Sequence, residues 1–289
     1  MNRFPVFLCI GGHKSGTIWL DRNLRRHGSI RMPPIKELHY FNELYIERAQ
    51  QWASKERTKK ASGVLQRYIK STPSVEWDYH FIARAAHIAA GDLSDDWYGR
   101  IFSFAAPREI CGEVSSDYYL LPEAGVNHVV RLSPDVKIAF LMRDPIERSW
   151  SHMRLTIRQR GIDDFETLEM FALHPELVAR ADYPAALRRW GAHVPPERLF
   201  TAFTDTIAAN PKQVLERFCG FLDVAFDAAY FPEAETPVHV GQVLDMPPAL
   251  YAILKERLRP VYEEISVVFP DIGPVWMARH YGTMADLRP

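Results

Sequence analysis

The segment Phe7-Leu8-Cys9-Ile10-Gly11-Gly12-His13-Lys14-Ser15-Gly16-Thr17 constrains this chain more than any other. A short apolar run that enters a glycine-rich turn and leaves as a helix reads as a buried strand opening a P-loop-like strand-turn-helix. Glycines let the backbone approach a ligand closely. The N–H groups of the first helical turn, at the positive end of the helix dipole, then converge where an anion can sit. Lys14 adds a formal charge and Ser15 and Thr17 add donors, so the turn is expected to hold a phosphate-type group. A Walker A loop needs Gly, four residues, then Gly-Lys-Ser/Thr. Gly11 and Gly16 have that separation, but Thr17 stands where the lysine belongs and Ile18 where the magnesium-binding hydroxyl belongs. Kinase or ATPase chemistry on metal-bridged phosphates is thereby disfavoured, and no metal-ligand cluster is visible elsewhere in the sequence.

Three further apolar runs look like buried strands: Ile110 to Glu113, Lys137 to Met142 and Leu199 to Phe203, beside Val6 to Ile10. Helical spacing fills the intervals, which predicts an α/β protein, a three-layer α/β/α sandwich around a parallel sheet. The first helix carries Leu20 and Leu24 on one face and is expected to close at a left-handed Gly28. Asp144-Pro145 opens another, with Asp144 as N-cap, Pro145 at the first helical position and Glu147 placed for a capping-box contact. Between Asn42 and Arg108 helices are expected over Asp78 to Ala89 and Asp95 to Phe104. The lysine-rich Ser54 to Lys60 reads as a solvated surface.

No repeat or low-complexity linker divides the 289 residues, so residues 1–289 are read as one domain. Lys and Arg total 35 against 36 Asp and Glu, a net charge of −1, which argues against a protein that coats nucleic acid or an anionic membrane. No stretch approaches the roughly 20 apolar residues of a membrane span, and the apolar N-terminal run is too short for a signal peptide. Cys9, Cys111 and Cys219 lack metal-type spacing and sit among apolar residues, as buried thiols in a reducing compartment would. A cytoplasmic location without integral membrane association is expected.

A second anion anchor stands at Arg143, at the end of the run Lys137 to Met142, with Ser151 eight residues on along the following helix. Ligands of open α/β sheets collect at the carboxyl ends of strands, and a guanidinium can grip a phosphate through paired N–H bonds. Between the two anchors lies Lys36-Glu37-Leu38-His39-Tyr40-Phe41, after Pro33-Pro34. An extended stretch there would put Glu37 and His39 on one face, and either could accept a hydroxyl proton.

The order Lys14-Ser15-Gly16-Thr17 resembles the 5′-phosphosulfate loop of sulfotransferases that use 3′-phosphoadenosine 5′-phosphosulfate (PAPS). His13 replaces the customary proline and Ile18 a second threonine. The run from Arg143 to Ser151, RDPxERxxS, resembles the same family's 3′-phosphate motif. The segment Lys36 to Phe41 is similar to the KExHFF segment of the heparan sulfate N-/3-O-sulfotransferase branch, in which the glutamate is the base. The resemblance implies PAPS as donor, bound by Lys14, Ser15, Gly16, Thr17, Ile18, Arg143 and Ser151, with Lys14 also acting on the leaving group. It implies Glu37 as first candidate for the base and His39 as second. Trp19 matches a tryptophan that packs on adenine in some members, and is equally readable as a core residue. Val238 to Gln242, with Gly241, could close over the phosphates as a late loop does in the family, or be an ordinary loop. Cys111 to Tyr118 resembles a GEKSPxY motif in which Val114 replaces a lysine that approaches the sulfonate, so that Lys14 must neutralise more of the charge alone or Lys36 or Ser115 must help. Tyr183 to Trp190 resembles the family's GxYxxxLxxW helix.

The expected reaction is sulfonate transfer to a hydroxyl, less readily an amine, of a small-molecule, lipid or carbohydrate acceptor. Arg22, Arg25, Arg26 and Arg31 are the residues that could form a basic groove for a more acidic one. A P-loop-type nucleotide kinase and a non-catalytic nucleotide-binding protein are the alternatives.

Overall fold

Five strands form one sheet in the order β2-β3-β1-β4-β5, every neighbouring pair parallel: β1 (Phe7–Gly11), β2 (Ile30–Arg31), β3 (Ile110–Val114), β4 (Lys137–Met142) and β5 (Leu199–Phe203). The computed structural model describes residues 3–103, 105, 106, 108–161, 164–236, 238 and 244–282. Alternate residues of a strand face opposite sides, and both sides of this sheet are covered. Leu8, Ile10, Ile138, Phe140 and Met142 enter one apolar cluster, while Phe7, Cys9, Ala139 and Leu141 enter the other. The expected α/β sandwich is therefore present, and β1 at its centre is buried along its whole length. The expected strands match the observed ones within a residue. Only β2 lay outside the expectation, because two residues are too short to show a period.

Topology positions the site. From β1 the chain builds outward to β2 and β3 on one side and then to β4 and β5 on the other, so the order reverses between β1 and β4. The carboxyl ends of those two strands lie side by side, Gly11 opposite Phe140, and a switch point of this kind opens a crevice above the sheet. The loop after β1 and Arg143 after β4 both emerge there.

Helix signals were mostly legible. Asp144 caps the Pro145–Arg160 helix by accepting from the amides of Ile146 (3.1 Å) and Glu147 (3.2 Å). Glu147 makes no capping-box contact, since its carboxylate is drawn instead to Arg143 and Arg279, both at 3.2 Å. The first helix ends at Leu24, and Gly28 does not adopt a left-handed conformation. A Cβ at residue 28 would lie 3.3 Å from the Tyr230 hydroxyl, so this glycine is accounted for by space. Ser54 to Lys60, expected as a solvated surface, lies in a helix, Ala53–Ser71, whose Ala53, Arg57 and Ala61 are buried. In the segment between Asn42 and Arg108, Trp97 and Tyr98 are buried in the core, and Tyr79 is 70% exposed. No helix among the described residues is long and apolar enough to cross a membrane.

The chain after β5 closes the fold. Asp144, fully buried, accepts from the Tyr262 hydroxyl (2.6 Å) and pairs with His280 (2.9 Å) and Arg279 (3.5 Å), tying the helices Pro248–Val268 and Gly273–Tyr281 to the start of the Arg143 helix. Asp205 binds Arg279 (2.7 Å) and the Trp276 indole (3.0 Å).

Candidate active site

Above the β1/β4 crevice lies a cleft of about 1130 Å³. Lys14, Gly16, Thr17, Ile18, Trp19, Glu37, Arg143 and Ser151 all line it, although they come from segments far apart in sequence. Ser15 and His39 are buried behind its surface, and Gly241 lies outside the described residues.

The loop after β1 leads directly into a helix start. Gly16, at φ 89°, begins the Thr17–Leu24 helix from a left-handed conformation that a side chain would strain. The amides of Gly16, Thr17 and Ile18 have no acceptor among the described residues, as expected for a helix start facing a ligand site. The Ser15 amide donates to the Gly12 carbonyl (3.1 Å), and its hydroxyl is buried with no hydrogen-bond partner among the described residues. Lys14 has no ion-pair partner among the described residues. Burial, and then the charges of Arg158, Arg143, Arg154 and Lys36, lower its pKa. Such a concentration of positive charge around a partly buried lysine makes the cleft favourable for an anion. Arg158 was not foreseen, although it stands at helical spacing from Ser151 (151, 155, 158) on the face that lines the cleft.

Arg143 rests against Glu147 (Nη2 to Oε2, 3.2 Å) with 27% of its side chain exposed. Its carbonyl accepts from the Tyr183 hydroxyl at 2.8 Å, so the Tyr183–Gly191 helix holds the backbone from which the guanidinium projects. Trp19 donates its indole N–H to the Ala234 carbonyl at 2.7 Å and is only 6% exposed, yet one edge faces the cleft beside Ile207, Pro211 and Ala234.

The Glu37 segment is not extended. Glu37 (φ 64°) and His39 (φ 54°) both take left-handed conformations, and it is this double turn that brings them within 3.7 Å. The Glu37 carboxylate accepts from the Ser116 amide and hydroxyl, both at 2.7 Å, and pairs with Lys36. Burial alone would raise its pKa. Lys36, His39 and the hydrogen bonds from Lys36 and Ser116 outweigh burial and hold it at about 2. Asn42 donates its amide N–H to the Asp117 carbonyl (3.1 Å), which turns its oxygen toward His39 Nδ1 (3.0 Å). Nδ1 therefore carries a proton, and Nε2 faces Glu37. Ser115, one of the two residues expected to substitute for the missing lysine, donates to buried Glu113 and is absent from the cleft wall. Lys36, the other, lines it. Ser116 was overlooked because its contact with Glu37 depends on the end of β3 meeting a turn almost eighty residues earlier.

Of the arginines proposed for a basic groove, Arg25 pairs with Asp21 (2.7 Å), and Arg26 and Arg31 are taken by Glu233 and Glu109. Arg22 lines the cleft without an ion-pair partner among the described residues.

A parallel sheet thus brings a P-loop-like strand-turn-helix, the cationic side chain that follows the neighbouring strand, and a carboxylate to one cleft. The sequence profile of the sulfotransferase family matches residues 5–228, and the chain belongs to that family. No curated protein gives a significant match. Among solved structures, a sulfotransferase from Alicyclobacillus acidocaldarius is 23% identical, with 94% of this chain and 98% of that one covered and a TM-score of 0.65. The sulfotransferase domain from the curacin biosynthetic pathway is 15% identical over 90% and 99% of the two chains, TM-score 0.55. Mouse sulfotransferase SULT7A1, solved in complex with PAP, is 13% identical over 96% and 89%, TM-score 0.53. At these identities the likeness concerns the fold.

Proposed function

We propose that this sulfotransferase carries the sulfonate of PAPS to a hydroxyl, less readily an amine, of a small-molecule, lipid or carbohydrate acceptor, releasing 3′-phosphoadenosine 5′-phosphate (PAP). The observation that carries this reading is the convergence of Lys14, Glu37, Arg143 and Ser151 on one cleft. The residues present fit the donor. Unpaired Lys14 and the free amides of Gly16, Thr17 and Ile18 would hold the 5′-phosphate, while Arg143 and Ser151 would hold the 3′-phosphate. Trp19, with Ile207, Pro211 and Ala234, offers an apolar wall to the adenine. Bound PAPS supplies the sulfonate and a phosphate leaving group.

Glu37 takes the acceptor proton, because it reaches the cleft surface while His39 lies behind it. His39, held by Asn42 with Nε2 3.7 Å from the carboxylate, is the second candidate for that role. In the structure Lys36 makes Glu37 a weak base. A sulfonate that drew Lys36 away, in the place Val114 leaves without a lysine, would raise the basicity of Glu37 as the proton moves. Lys14 stabilises charge building on the bridging oxygen. The Lys36 to Phe41 segment supports kinship with the heparan-type branch, and three buried, unpaired cysteines support a reducing, cytoplasmic setting for this single domain.

Sulfur-labelled PAPS offered with mixed hydroxylated acceptors tests the reading. The protein is expected to transfer label, and Lys14→Ala to lower transfer by about 10³-fold. PAP binding without transfer to any acceptor would instead identify a non-catalytic nucleotide-binding protein.

A further inference from the structure

One wall of the cleft is a helix the donor does not need. From Ala53–Ser71, residues Lys59, Lys60, Gly63, Val64 and Arg67 face the cleft at helical spacing. Buried Arg57 fixes this helix to the base: its guanidinium donates to the Leu38 carbonyl (3.0 Å), beside Glu37, and to Glu43 (2.8 Å) in the Tyr40–Tyr45 helix that follows. The stripe is therefore locked to the acceptor side of the site.

Its charge is unbalanced. Glu56 is the stripe's one acid among the lining residues and is engaged by Lys60 (3.5 Å), while Lys59 and Arg67 have no ion-pair partner among the described residues. Gly63 leaves a notch between them: a Cβ there would lie 3.5 Å from Arg67 Nη1, so the guanidinium folds back over the glycine. Val64 and, across the cleft, Ile35 and Leu155 give the same region an apolar lining.

Resting on the sulfotransferase reading above, we infer that the acceptor is a hydroxylated molecule with an apolar body and an anionic group, the anion bound by Lys59 and Arg67 over the Gly63 notch while its hydroxyl reaches Glu37. Two unpaired cations favour a group of one or two negative charges, and they discriminate against the neutral analogue because the apolar body contributes equally to both.

The test uses PAP-saturated protein, so that the donor phosphate sites are filled, titrated calorimetrically with 4-hydroxyphenylacetate and with its neutral amide. The acid is expected to bind at least about tenfold tighter than the amide, one decade per about 1.4 kcal/mol. In the Lys59→Glu/Arg67→Glu variant that preference is expected to vanish while PAP affinity stays within about twofold of the parent. Lys59→Ala/Arg67→Ala, which introduces no new charge, should lose the preference as well. Equal binding of acid and amide, no binding of either, or a preference that survives both variants would overturn the inference with PAP still bound. Failure of PAP itself to bind would strike the donor reading instead.

Discussion

Lys14, Glu37 and His39 are three of the four described non-glycine residues with positive φ, at 68°, 64° and 54°. Each such conformation costs on the order of 1 kcal/mol or more, and the fold keeps them where chemistry is proposed. Glu37→Gln should retain the Ser116 contacts and PAP binding but reduce kcat by about 10²–10⁴-fold, measured under saturating donor. The same variant tests linkage. Held at about 2 in the folded state against about 4.5 when unfolded, the Glu37 carboxyl contributes stability that is full above pH about 4.5 and lost as pH falls toward about 2. Urea denaturation across that window should show a shallower acid loss for the glutamine variant. His13 and His152 meet edge to face at 4.7 Å, and burial, the largest cause for each, lowers the His13 pKa to about 4 and that of His152 to about 2. Both imidazoles are neutral in the fold. As pH drops below about 6.5 the unfolded chain binds protons the native state refuses, so stability should fall toward pH about 4, and His152→Phe should flatten that slope. Lys14 and Arg143 were legible because their neighbours in sequence announce a turn and a strand end, while Glu37 and Ser151 were picked out by the motifs in which they stand. Ser116 and Arg158 were not, since their roles arise only when distant segments meet.

At the level of elements, the long apolar strands declared themselves and the Ala53–Ser71 helix did not. Its lysines suggested plain solvent exposure, and the direction of each face is set by Arg57, a charged residue only 1% exposed. That guanidinium pairs with buried Glu43 and stacks over Trp97 at 4.9 Å. Arg57→Ala would leave Glu43 unpaired in the core, and a loss of about 3–5 kcal/mol is expected in chemical denaturation. If the helix also carries the acceptor wall, the variant at a temperature where it remains folded should raise the acceptor KM more than the donor KM. The segment after the proline pair differs at the same scale. An extended stretch was expected at Glu37 and His39, but the Glu37 amide bonds to the Val114 carbonyl (3.0 Å) and the chain turns left-handed, which brings the carboxylate to Ser116 just past β3.

Across the whole molecule, the near balance of 35 basic and 36 acidic residues conceals a local excess of positive charge: Lys14, Arg22, Lys59, Arg67 and Arg158 line one cleft with no ion-pair partner among the described residues, beside the paired Arg25, Lys36, Lys60 and Arg143. The C-terminal helices, which carried no recognisable motif, prove to brace that cleft from behind through Asp144 and Asp205. Trp276 is fully buried among them, and Trp276→Ala should cost about 3–5 kcal/mol and lower donor affinity together with stability. In the proposed reaction Lys14 and Arg143 grip the two ends of one nucleotide across the β1/β4 crevice. Calorimetric titration with PAP and with adenosine 5′-monophosphate tests it directly. PAP should bind in the micromolar range and at least about tenfold tighter than the nucleotide lacking the 3′-phosphate, with Arg143→Ala erasing the difference. Equal affinity for the two nucleotides, or no PAP binding at high micromolar concentration, would contradict it.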